Sequence, residues 1–167
     1  MSTGPDVFSL QRFVAAQDRV YAAVTSELRA GRKRSHWMWF VFPQVQGLGV
    51  SPTARHYAIG SLDEAQAYLR HPVLGARLVE CTDLLLAHAG TPIGRIFGYP
   101  DDLKLRSCLT LFYEVAEMGP KAGEGQDEGA PTSAFRRALD VFFDGLADER
   151  TLAVLARWRG GVHGADG

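Results

Sequence analysis

Three stretches gather the residue types that do chemistry. The first, RKRSHWMWFVFPQ, runs from Arg32 to Gln44. It sets Lys33 between two arginines and follows them with His36, Trp37 and Trp39. Cations beside aromatic faces can grip a phosphate or carboxylate while a flat ring stacks. The same cations also suit the end of a preceding helix, at the negative end of its dipole. His36 reads either as a core histidine bonded to backbone or as an acid–base or ligand-contacting group. Trp37 and Trp39 should both pack largely inward, and a buried indole N–H then needs a polar partner, which makes Gln44 notable. The second stretch, SPTARHYAI, is residues 51–59. It carries Arg55 beside Tyr57: an exposed cation, or one that meets an anion at the mouth of a cleft. The third, PDDLKLRSCLTLF, is residues 100–112. Asp101, Lys104, Ser107 and Thr110 recur there every third residue, so they share one drifting face of a helix. An acid, a lysine and two hydroxyls suit hydrogen bonding to a polar ligand. An ordinary solvated face with a capping aspartate, and an Asp–Lys pair worth a few tenths of a kcal/mol, is the other reading. In a hydrolytic version Asp101 or Asp102 would activate water or steady a developing cation. The expected catalytic candidates are therefore His36, Asp101 and Asp102. The expected ligand set is Lys33, His36, Trp37, Gln44, Arg55, Lys104 and Ser107, around a small anionic ligand.

Other chemistry has no matching pattern. There is no GxGxxG, P-loop, GxSxG or HExxH, and none of the five histidines pairs with another histidine or a cysteine at a metal-ligand spacing. No metal or cofactor is expected. Cys81 and Cys108 form no CxxC and sit in apolar patterns, so they read as buried free thiols. A net charge of −1 argues against a main task of gripping nucleic acid or an anionic membrane. The start, MSTGPDVFSLQRF, has no charged segment followed by an apolar one. No run approaches the roughly 18 apolar residues of a membrane span. A cytoplasmic location is the default expectation, and nothing in the pattern speaks to oligomeric state.

The elements that must position these residues read as helices. The 167 residues suit one domain, 1–167 with a core over about 6–158. Such a chain buries about 70% of its unfolded surface without help from a disulfide or metal. Leu10, Phe13, Val14, Val20, Tyr21, Val24 and Leu28 form one helical face, with Gln17 in register and a break expected near Ala16. Gly31 ends it. Ser35 can cap a start and Pro43 forbids continuation, but the apolar run between them suits helix or strand. Ser51 and Pro52 form a cap-then-proline start, and SLDE at 61–64 is a capping box. Pro72 opens a helix striped by Leu74, Leu78, Cys81 and Leu85. Thr91 and Pro92 open another, which Gly98 stops. Asp101 should cap the helix striped by Leu105, Leu109, Phe112 and Ala116. Residues 119–131 lack any large apolar side chain and are expected to be a mobile loop. Phe135, Leu139, Phe142 and Leu146 stripe one more helix; Leu152, Leu155 and Trp158 stripe the last. The glycine-rich tail, 160–167, should fray. No strand alternation is convincing, so the expected class is all-α, many short helices around an aromatic centre.

The blocks GRKRSHWMWFVFPQVQGLGVS, YAIGSLDEAQAYLRHPVLGARL and IFGYPDDLKLRSCLTLF resemble the domain-of-unknown-function family 1810, small bacterial proteins, over nearly the whole chain. That resemblance implies a mostly helical single domain and no established activity. Residues 119–131 look longer than the family pattern needs. The order of an aromatic and tyrosine helix, an EA-containing helix and a KxxSxxTLF helix is also similar to the NADAR proteins, which process ADP-ribose linked to nucleobases. No catalytic position carries over. The second resemblance implies a class only, an ADP-ribose-like or nucleotide ligand, bound or processed. A non-enzymatic protein-interaction module is the alternative.

Overall fold

The structure, a computed structural model, describes residues 6–118 and 131–164. Among the described residues it contains nine helices and no sheet, only a single parallel bridge between Val45 and Ile59. The loop expected at 119–131 falls almost wholly outside the described residues.

α1, Gln11–Ala30, runs unbroken through Ala16 and ends at Gly31, whose φ of 73° is the left-handed cap geometry that glycine adopts freely. The expected break is absent because Gln17 does not interrupt the buried face. Its Nε2 donates to the Phe40 carbonyl at 2.6 Å and to the Tyr68 hydroxyl at 3.2 Å, so a polar side chain sits satisfied in the core. The aromatic block resolves as a short helix, α2, Met38–Val41, with Trp37 at its N-cap. Ser35 does not cap it; its hydroxyl donates to Glu27 instead.

α3 is Pro52–His56, capped by Ser51 through the Ala54 N–H. α4 is Leu62–Arg70, capped by Ser61 through the Glu64 N–H, while Glu64 reaches back to the N–H of Gly60. α5 is Leu74–Leu86. It begins after Pro72 and Val73, because His71 Nδ1 accepts the N–H groups of Val73 and Leu74 at 3.1 and 3.2 Å. α6 is Ile93–Phe97 and α7 is Asp101–Met118. α8 is Pro131–Phe143 and α9 is Glu149–Gly164, so the last helix reaches into the glycine-rich tail.

α7 is the central element, packed by α4, α6, α8 and α9, while α5 joins α1, α4 and α8. Leu105, Cys108, Leu109, Leu111 and Phe112 of α7 are fully buried, as are Trp37 and Phe42 of the aromatic block. Both cysteines are free and buried. Burial pushes the Cys81 thiol up to about 12 and raises that of Cys108 as well, which leaves both un-ionised near neutral pH.

The α4–α5 corner depends on one small residue. A Cβ at Gly75 would stand 2.1 Å from the backbone oxygen of Leu69, which cannot swing away as a side chain could. Gly75→Ala should therefore cost about 2 kcal/mol through forced backbone movement. Urea unfolding measures it, and a loss under about 0.5 kcal/mol would show that the corner yields freely.

Candidate functional site

The floor of the site is built from the end of α1 outward. Glu27, in the last turn of α1, accepts from the N–H groups of Arg34 and Ser35 at 2.8 and 3.1 Å. It also accepts from the Ser35 hydroxyl at 2.5 Å and from Trp37 Nε1 at 2.9 Å. One carboxylate thus folds the basic run back over the helix end and satisfies the buried indole. Partial burial pushes its carboxyl up, but the hydrogen bonds from Ser35, Arg34 and Trp37 win and hold it at about 2.

The turned-back run delivers Lys33 to the start of α7. Its Nζ lies 2.9 Å from Asp101 Oδ2, 2.7 Å from the Ser35 carbonyl and 4.9 Å from the centre of the Trp37 ring. The other oxygen of Asp101 faces Lys104 Nζ at 3.5 Å. Lys104 in turn sits over the Trp39 ring, 5.2 Å from its centre. Asp101 is therefore the first residue of α7 and a counterion to two lysines, not the cap that the sequence suggests.

Beyond Lys104 opens a cleft of about 630 Å³, within the usual range of small-molecule sites. Trp39 and Gln44 form one wall, and Tyr99, Leu103, Lys104, Arg106 and Ser107 form the other. Asp148 and Arg150, at the start of α9, complete it. Thr110 of α7 holds α9 in place by accepting the Asp148 N–H at 2.9 Å. The Asp148 carboxylate is occupied, accepting the N–H and hydroxyl of Thr151 at 2.9 and 2.6 Å. Lys104, Arg106 and Arg150 thus line the cleft, and among the described residues no unengaged acid lines it with them. Arg106 donates from one terminal nitrogen to the Ala147 carbonyl at 2.9 Å. Its Nε is buried without a hydrogen-bond partner, alone in this among the side-chain atoms of the described residues.

Of the expected ligand set, Gln44, Lys104 and Ser107 line this cleft. Trp37 is fully buried in the core, as its inward packing requires, and Trp39 lines the cleft in its place. Lys33 stands behind the cleft as the partner of Asp101, with only 7% of its side chain exposed. His36 lines a different hollow, of about 540 Å³, with Phe40, His56 and Tyr57; it meets the first cleft only through Trp39, which lines both. Arg55 is exposed on α3 and lines neither hollow. Asp102 accepts the neighbouring Leu103 N–H at 2.8 Å and does not line the cleft. Both acids proposed for water activation thus lie outside the cleft lining, and Asp101 is held by ammonium groups. Arg106 and Arg150 escaped the sequence reading. Arg106 follows Leu103 by one helical step and could have been found that way. Arg150 arrives from α9 with no local signal. Among the described residues no group of three potential metal ligands forms, and no helix is long and apolar enough to cross a membrane.

Comparison with curated proteins returns no match. Among solved structures, the crystal structure of the conserved hypothetical protein Rv1873 from Mycobacterium tuberculosis is similar. It is 51% identical, with a TM-score of 0.81, over 90% of this chain and 99% of that one. The resemblance to NADAR proteins finds no support in these comparisons. Residues 7–155 match the family described as "Protein of unknown function (DUF1810)", a span that holds the aromatic block, the Lys33–Asp101–Lys104 chain and every residue of the cleft. The fold, the match and the relative agree: the chain belongs to the DUF1810 family.

Proposed function

We propose that the cleft between the aromatic block and α7 recognises a small ligand that joins a flat ring to an anionic group, of the nucleotide or ADP-ribose-like class. The observation that carries this is the set of three cations, Lys104, Arg106 and Arg150, beside the Trp39 and Tyr99 rings, with Asp148, the one lining acid among the described residues, already bonded to Thr151. Charge-assisted bonds from guanidinium groups suit phosphate oxygens. A base or other ring has Trp39 and Tyr99 to stack on. The unpaired Arg106 Nε adds to the case, since a buried donor without an acceptor costs about 1–3 kcal/mol that an anionic partner can relieve. Gln44 can both donate and accept at the edge of a ring.

A thermal-shift panel of phosphate, AMP, NAD and ADP-ribose tests this on the wild-type chain and on Lys104→Ala. A ligand at 100 times its dissociation constant should stabilise the wild type by about 2.7 kcal/mol, and the shift should shrink in the variant. A shift that survives Lys104→Ala unchanged would place the ligand elsewhere.

One observation favours a second reading, a protein-interaction module. The rim of the same cleft exposes large apolar side chains: Val50 at 77%, Tyr99 at 81% and Leu103 at 44%. Apolar groups around a cationic floor suit an acidic polypeptide segment with apolar side chains. No shift with any small molecule, from a folded sample, would favour this reading.

A further inference from the structure

The arrangement of charge behind the cleft has its own logic. Asp101 is one carboxylate between two ammonium groups. Lys33 is the closer, at 2.9 Å against 3.5 Å for Lys104, and its side chain is 7% exposed against 28%. Lys33 is also fixed by the Ser35 carbonyl and the Trp37 ring, whereas among the described residues Lys104 has the Trp39 face besides Asp101. A carboxylate neutralises one cation, and water screens a buried pair less than an exposed one. Asp101 is thus spent mainly on Lys33. The remaining positive charge resides on Lys104, which lines the cleft together with Arg106 and Arg150.

We infer that Lys33 is a positioning residue for the anion site: by holding the Asp101 carboxylate, it keeps the charge of Lys104 uncompensated and turned toward a bound anion. This rests on the reading of the cleft as an anion site. Lys33 touches no ligand. Without it, Asp101 would serve Lys104 alone, and the cleft would lose one of the three positive charges that, among the described residues, face it without a carboxylate of their own. The general case for such a device is that an anion site must carry cations without a competing carboxylate, yet a lysine beside the core needs a partner of its own. Sharing one acid between a buried lysine and a half-buried one meets both conditions.

Opposite effects of two substitutions test the assignment. The full chain is compared as wild type, Lys33→Met, Lys33→Arg and Asp101→Asn. Two quantities are read: affinity for inorganic pyrophosphate by calorimetry, and the rate of Lys104 acylation by an amine-reactive ester, followed by mass spectrometry. Lys33→Met should weaken pyrophosphate binding about fivefold and slow acylation of Lys104 by a similar factor, because Asp101 then holds the Lys104 amine alone. Lys33→Arg should stay near wild type in both. Asp101→Asn should strengthen binding and speed acylation. A residue that merely supports the fold would weaken binding in both variants, and that result overturns the proposal. An unchanged acylation rate in Lys33→Met overturns it too. If Lys33→Met does not fold, Asp101→Asn decides alone: a rise in both quantities supports the assignment, and no rise refutes it. A wild-type chain that binds neither pyrophosphate nor any nucleotide of the panel overturns the cleft reading and the assignment together. The acylation rates still report whether Asp101 is shared, so that failure is distinct from an error in the charge arrangement.

Discussion

Phe112→Ala should destabilise the protein by about 4 kcal/mol, the largest effect expected from any single truncation discussed for this chain. The ring is fully buried on α7, 5.2 Å from the ring of Tyr68 on α4 and 6.4 Å from that of Phe135 on α8. Those two neighbours belong to two other helices, so three helices meet at this ring. They cannot close the space by a rotamer change, because Tyr68 is also packed edge-on against Phe13 at 5.1 Å and receives a hydrogen bond from Gln17. The loss therefore includes both the transfer of the ring and a cavity that stays open. In a chain of this size a melting temperature lower by roughly 8–16 °C corresponds to that cost. Leu146→Ala is the control: at 62% exposure it should change stability by no more than about 0.5 kcal/mol. A Phe112→Ala loss under about 1.5 kcal/mol would mean that the three helices collapse onto the gap.

The second large effect is at Glu27, where the expected cost of Glu27→Ala is about 3 kcal/mol. Four donors lose their acceptor at once, and the Trp37 indole N–H is in the core, where water does not replace it. The pH dependence offers an independent check. The carboxyl is held at about 2 in the folded protein against an ordinary 4.5. A group whose folded value is depressed adds stability that is fully present above the unfolded value and is lost as pH falls through the folded one. The stabilisation should therefore stand above about pH 5 and drain away toward pH 2. Unscreened, the difference corresponds to about 3 kcal/mol; solvent around this partly exposed carboxylate reduces it to about 2 kcal/mol. Glu27→Gln should flatten that segment of the stability curve. Equal acid sensitivity in wild type and Glu27→Gln, by denaturant unfolding between pH 2 and pH 6, would show that other carboxylates carry the acid transition.

Much of the fold was legible because helices are specified by near neighbours. The stripe from Leu10 to Leu28, the proline after Ser51 and the serine three residues before Glu64 act over one or two turns, and the corresponding helices and caps stand in the structure. The dense apolar run at Trp37–Phe42 had to be buried in large part whatever the topology, because leaving it in water is costly. Local rules failed where a side chain had a better partner far away in the chain. Ser35 has the chemistry of a cap but bonds Glu27, and Asp101 has the chemistry of a cap but pairs with Lys33. In both cases a charge-assisted contact set by packing wins over a cap to the residue's own helix.

The candidate site divides the same way. Helical spacing alone puts Lys104 and Ser107 on one face, and the order of residues alone sets an aromatic block after a basic run. Packing between helices settles that Trp39 and not Trp37 faces the cleft, that His36 lies in the adjoining hollow, and that Arg106 and Arg150 line the cleft with Lys104. Helical periodicity says which residues share a face. It does not say which neighbour covers that face, because the crossing of α7 with α9 and with the aromatic block comes from side chains fitting together across the core.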